Sequence, residues 1–148
     1  MQKSKNAFTM IELIFVIVIL GILASVALPK FAATRTDAEI SKARSDISSI
    51  RSAIVTERQT RLIKGDSSWI GKLSIDGENL FTGEDENKTL LTYGIAPDEW
   101  QKTNDTTYTY TSENTVLTFT YDNATGRFTC STTAGSDAQK TLCKKLIN

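Results

Sequence analysis

The sequence predicts an α+β protein in which one long, kinked amino-terminal helix packs on a small antiparallel β-sheet. Three observations lead there. No charge occurs from Leu13 to Leu28, apolar residues then recur at alternating three- and four-residue steps as far as Ile54, and from Thr106 the period changes to two.

The first element is the apolar run from Ala7 to Leu28. A helix needs roughly 20 residues to cross about 30 Å of hydrocarbon, so the run is long enough to span a bilayer. Glu12 is the anomaly within it. An ionised carboxylate at a helix centre costs about 2.5–3.5 kcal/mol in a membrane. Near the end of the run the cost is lower, because the side chain reaches headgroups and water, and an edge carboxylate that does only this is the plain reading. Gly21 weakens the helix from within, and Pro29 removes one backbone donor and predicts a kink. Periodicity then resumes with Ala33, Thr36, Ile40, Ala43, Ile47, Ile50 and Ile54, one apolar stripe, with Asp37, Lys42, Arg44, Arg51 and Arg58 assigned to the opposite face. Arg61 and Lys64 suit the negative end of a helix, and Gly65 suits the residue that terminates it. Phe8 to Lys64 forms one helix of about 57 residues, roughly 85 Å long. A coiled coil would also use such a stripe, but the motif is short and has no Leu seam, which favours packing on the chain's own sheet.

From Gly65 to Trp100 the chain reads as a connecting region. Trp69-Ile70 and Leu73 to Ile75 are anchors between turns at Gly71 and Asp76-Gly77. Thr82 to Asn87 is an exposed acidic loop, and Leu90 to Ile95 returns toward the core before Ala96-Pro97. Thr107 to Thr111, Thr115 to Tyr121 and Arg127 to Ser131 alternate Thr with apolar residues around the Asp122 to Gly126 turn, which predicts a three-stranded meander. Tyr108, Tyr110, Leu117, Phe119, Tyr121 and Phe128 share its inner face. Asp137 to Ile147 reads as a short terminal helix.

Lys3 and Lys5 keep the amino terminus cytoplasmic by the positive-inside rule and place the rest of the chain outside the cytoplasm, where disulfides form. Cys130 and Cys143 are the only cysteines, and a disulfide between them is worth about 3 kcal/mol in the chain-entropy model.

The stretch Ala7-Phe8-Thr9-Met10-Ile11-Glu12, behind a polar leader with Lys3 and Lys5, resembles the processing site of the type IV pilin family, which includes the pseudopilins of type II secretion. The resemblance implies a pilin-like fold with a carboxy-terminal disulfide loop. It implies that a prepilin peptidase cuts between Ala7 and Phe8 and that Phe8 becomes N-methylated. It further implies that Glu12 and the Phe8 amine of neighbouring copies set the registry of a helical filament. An inner-membrane platform and an ATPase motor are the implied assembly partners, and adhesion, motility, protein secretion or DNA uptake the implied uses. The residue before the cut is usually Gly in that family and is Ala7 here, and the calcium-binding loop of the major pseudopilins has no recognisable counterpart. On this reading residues 1–7 are a leader, 8–29 a transmembrane and assembly helix, 30–64 an amphipathic continuation, and 65–148 a periplasmic or extracellular sheet domain. The protein is held in the inner membrane until it enters a periplasmic or surface filament.

Two other readings use the same stretch. A secretory signal cut after Ser25-Val26-Ala27 would give a soluble protein starting at Leu28, but Glu12 and the length of the run fit it poorly. A periplasmic binding module anchored by one helix would explain the span but not Glu12. Composition narrows the class further. The 148 residues hold 17 basic and 17 acidic side chains and no His. Lys30 to Gly65 has eight basic and four acidic residues, a net +4, and Asp66 to Asn148 has seven and twelve, a net −5. Neither is the strongly basic footprint of a dedicated nucleic-acid binder. Without His, and without a nucleophile elbow or phosphate-cradling loop, the chain does not read as an enzyme, and it calls for no cofactor or metal. Asn87, Asn104 and Asn123 head Asn-x-Thr triplets, Asn87 with Asp85 two residues upstream. Chance in a Thr-rich chain is the default explanation, and a glycopeptide at Asn87 would be the sign of more.

Overall fold

The computed structural model describes residues 8–76, 79–87, 89–112 and 114–147, without the side chains at positions 29 and 31–34. The expected leader with Ala7, Gly77 of the expected turn, the Pro29 ring and the Ala33 side chain lie outside the described residues. The chain divides into two units, Met1–Ala38 and Glu39–Asn148.

Helix α1 runs Met10–Ile63, and its helical assignment passes through Pro29 without a break. It ends where the sequence placed its terminator. Gly65 N–H donates to Leu62 O at 3.0 Å and Asp66 N–H to Arg61 O at 2.9 Å, a pairing that needs a left-handed residue between, and Gly65 has φ 85°.

In the second unit the stripe is buried as expected. Ala43, Ile47, Ile50 and Ile54 join one core with the inner face of a four-stranded antiparallel sheet of order β1-β2-β3-β4. The strands are β1 Trp100–Lys102, β2 Thr107–Ser112, β3 Thr115–Asp122 and β4 Arg127–Cys130. Tyr108 faces Phe119 across β2 and β3, and Tyr121 faces Phe128 across β3 and β4. All six residues assigned to the inner face are buried. Removing each Ile or aromatic side chain from water is worth about 1.5–3 kcal/mol. Helix α2, Asp137–Ile147, starts with a reciprocal cap: Ser136 N–H donates to Gln139 Oε1 at 2.8 Å, and Gln139 N–H to Ser136 Oγ at 3.3 Å. The Cys130–Cys143 disulfide ties α2 to edge strand β4 across a Cα separation of 6.0 Å.

Four features depart from the sequence reading. Strand β1 is not among the expected strands: only its first residue, Trp100, falls in the stretch read as connecting, and three residues are too few to show alternation. The charged residues assigned to the opposite face mostly flank the stripe instead. Arg44, Arg51 and Arg58, seven residues apart, lie along one flank, and each donates to a backbone carbonyl: Lys145 O at 2.6 Å, Phe128 O at 3.1 Å and Ser68 O at 2.8 Å. Elsewhere along the helix Lys42 meets Glu99 at 2.5 Å, and Trp100 Nε1–H donates to Asp46 at 3.2 Å. Much of the positive charge of this helix is therefore spent inside the chain. Thr82 and Gly83 of the acidic loop are buried, and Glu84 is drawn inward by Arg61 and by Gly71 N–H. Tyr93, in the segment expected to return to the core, is 86% exposed, whereas Leu90, Leu91 and Ile95 do pack against it.

Phe81 was not singled out, yet its ring meets Trp100, Tyr108 and Phe128 at centroid distances of 5.6, 4.7 and 5.6 Å. It adopts φ 62°, costly for an aromatic residue, and is held there by Ser74 Oγ on its N–H at 2.8 Å and Leu91 N–H on its carbonyl at 3.0 Å. Gly126, at φ 72°, lies so close under Trp69 that a Cβ would enter the indole ring. The same indole carries the Arg58 guanidinium on its face at 5.1 Å. Helix, connecting region and β3–β4 turn thus meet at one stack.

Burial pushes the phenols of Tyr110 and Tyr121 up to about 12, and Tyr121 also donates to Ile70 O at 2.9 Å. A raised folded pKa means that the unfolded chain releases these protons first, from about pH 10. Stability is therefore full below pH 10 and falls as pH rises toward 12. Ultraviolet phenolate titration is expected to show two tyrosines ionising near 12, with alkaline unfolding made shallower by Tyr121→Phe. Titration of every tyrosine near pH 10 would contradict this packing.

Candidate assembly site

The candidate site in the first unit is a surface. From Met10 to Leu28 the helix is long and apolar enough to cross a membrane, and none of that stretch is buried. Phe8, immediately before it, is 85% exposed. Leaving so many large apolar side chains in water is unfavourable at about 25 cal/mol per Å², which makes this segment the part of the molecule that requires a partner or lipid.

Its start is built by three residues. Glu12 N–H donates to Thr9 Oγ1 at 3.3 Å, while Thr9 N–H and Thr9 Oγ1 both donate to Glu12 Oε2 at 3.0 Å. This is a capping box, Thr at the cap and Glu three residues on, and it satisfies two amides that a helix start leaves unpaired. The carboxylate also faces the positive end of the helix dipole. Sequence reasoning passed over Thr9, although Thr9-Met10-Ile11-Glu12 carries the signature. Both hydrogen bonds fall on one carboxylate oxygen, Oε2.

Of the other residues assigned to this site, Gly21 lies within the helix with nothing near the position of an added Cβ, and the backbone of Pro29 is helical. The structure joins Glu12 to Thr9 and places Phe8 outside the helix. Ser25 Oγ donates to Ile22 O at 2.7 Å, so this hydroxyl is satisfied within the helix.

Comparison with known proteins bears on this surface. Residues 2–28 match the family model described as a prokaryotic N-terminal methylation motif. The chain is similar to the type IV major fimbrial protein FimA of Dichelobacter nodosus, 27% identical over an alignment covering 97% of this chain and 99% of that protein. The chain thus carries the methylation motif and is similar over nearly its whole length to a type IV fimbrial protein. The chain is also similar to a fimbrial protein of Moraxella nonliquefaciens, 33% identical over 61% of this chain and 56% of that protein. A fimbrial protein of Pseudomonas aeruginosa is 35% identical over 35% of this chain and 34% of its own length. This chain therefore spans about half and about a third of those two relatives. No solved structure matches.

Thr9→Ala removes both the Oγ acceptor and the hydroxyl on Glu12, a loss of about 1 kcal/mol at the helix start. In detergent micelles, hydrogen exchange of the Met10 to Glu12 amides is expected to accelerate while the Ile47 and Ile50 amides keep their protection. Unchanged exchange at the first turn would show that the cap carries no stability.

Proposed function

We propose that this protein is a pilin-like filament subunit, made as a precursor and polymerised through its amino-terminal helix. The observation that carries the reading is the uncovered apolar stretch Met10 to Leu28 with a carboxylate in its first turn. A cut between Ala7 and Phe8 by a prepilin peptidase leaves the whole helix on the mature protein and creates a cationic amine about one turn from Glu12. Methylation of that amine keeps its charge. Within the inner membrane the helix anchors the subunit, with Lys3 and Lys5 on the cytoplasmic side and the sheet domain outside.

In the filament the same helix packs among copies of itself, and apolar burial replaces lipid contact. Glu12 then needs a partner, because a buried unpaired carboxylate is strongly unfavourable. The Phe8 amine of a neighbouring copy fits, and pairing occurs only at one axial offset, so the pair fixes registry. Gly21 and Pro29 supply the bends that let the helix follow the filament axis. Extraction from the membrane is the task of a platform and an ATPase motor. The similarity to type IV fimbrial proteins supports a type IV pilus as the filament, with a type II secretion pseudopilus as the related assembly. Adhesion, motility, protein secretion or DNA uptake is the class of use.

Glu12→Ala tests this reading. The variant is expected to be cut and retained in the membrane like the parent while yielding far less sheared filament on immunoblots. Normal filament yield would contradict the registry role, and a simple membrane anchor would be indifferent to the change.

A further inference from the structure

We propose that Asn87 is an acceptor for N-linked glycan, transferred from a lipid-pyrophosphate-linked oligosaccharide; the proposal rests on the export of the sheet domain inferred above. The sequence offers three Asn-x-Thr triplets, and the structure separates them. An acceptor must reach the catalytic centre of a second protein, leave its threonine hydroxyl free to be read, and sit on backbone that can be drawn out.

Asn104 fails on two counts. Its backbone is locked between β1 and β2, with its N–H on Thr107 O at 3.2 Å and the Thr107 N–H on its own carbonyl at 3.4 Å. The Thr106 hydroxyl is already donated to Asn104 Oδ1 at 3.2 Å. Asn123 fails similarly, inside the turn closed by Gly126 N–H on Asp122 O at 2.7 Å, with the Thr125 hydroxyl donated to Asp122 Oδ2 at 2.7 Å.

Asn87 also lies in a turn, with its N–H on Asp85, and differs in its threonine and in the carboxylate beside it. Asp85, Glu86, Asn87 and Thr89 are exposed, and among the described residues the Thr89 hydroxyl makes no hydrogen bond. The loop is closed at its base by Leu90 N–H on Thr82 O at 3.1 Å and Leu91 N–H on Phe81 O at 3.0 Å. Glu84 is fastened to Arg61, and Asp85 to Asn87 lie exposed beyond it. Asp85 accepts the Asn87 N–H on one carboxylate oxygen and the Asn87 Nδ2–H on the other, both at 3.0 Å. A carboxylate therefore already rests against the nitrogen that must lose a proton. In the transfer, Nδ2 bonds to the anomeric carbon, the bond from that carbon to the pyrophosphate oxygen breaks, the lipid pyrophosphate leaves with the electron pair, and the Nδ2 proton passes to a carboxylate base.

The test is expression of the full chain in a bacterial host carrying a periplasmic N-oligosaccharyltransferase and an undecaprenyl-pyrophosphate-linked oligosaccharide, followed by glycopeptide mapping. Glycan is expected on Asn87 and not on Asn104 or Asn123. It is expected to be lost in Asn87→Gln and Thr89→Val and reduced in Asp85→Ala. A bare Asn87 in protein whose Cys130–Cys143 disulfide has formed, or equal modification of the other two sites, would overturn the proposal while leaving export intact. Reduced cysteines would instead overturn export, and this proposal with it.

Discussion

An apolar helix surface with nothing on it is the constraint from which the rest follows. Met10 to Leu28 has the length and composition of a membrane span and is wholly uncovered within the chain. Water is not a tolerable neighbour for that surface, so the segment calls for lipid or a protein partner, and a second copy is the partner proposed above. A carboxylate in the first turn, satisfied by Thr9 among the described residues, gives the segment a polar feature at its start. The same helix can thus serve two environments. Lipid accepts it because the charge lies near its end, and a bundle accepts it because the charge can be paired.

The second unit shows how such a helix continues into a folded domain. Its apolar stripe fills a core dominated by aromatic rings, with Phe81 and Trp100 at the centre and Phe119 stacked on Phe128 at 5.2 Å. Around that core, charge works locally. The row of three arginines caps backbone carbonyls of α2, β4 and the connecting region, and Arg61 gathers Glu57, Asp66 and Glu84 at the end of the helix. Lys102 does the same for the β1–β2 hairpin. Burial alone would lower its pKa, but Asp76 and Asp105 more than offset this and hold it above the ordinary lysine value. The division of charge along the sequence, positive then negative, is largely the imprint of these contacts within the chain.

Elements with a strong period were legible in the sequence. The stripe from Ile40 to Ile54, the Thr-alternating strands, the terminator Gly65 and the helix Asp137 to Ile147 each repeat a local rule, and local rules survive folding. Strand β1 was hidden because it is three residues long and exists only through its pairing with β2. Phe81 was hidden because its left-handed backbone is imposed by Ser74 and Leu91, neither adjacent in sequence. The carbonyl contacts of the arginines are not legible in the sequence, because helical spacing locates a side chain on the wheel but does not reveal a carbonyl within its reach. At the assembly site the span and Glu12 are plain in the sequence, whereas Thr9 acquires its role only through its hydrogen bonds with Glu12 at the helix start.

In the proposed assembly the apolar helix is kept on the mature protein and processing takes place before it. Intact mass and amino-terminal sequencing of protein purified from membranes decide the point. A chain beginning at N-methylated Phe8 is the result expected. A chain beginning at Leu28 would mean that the helix is removed as a secretory signal, and the roles assigned to Glu12 and to the uncovered surface would fall together.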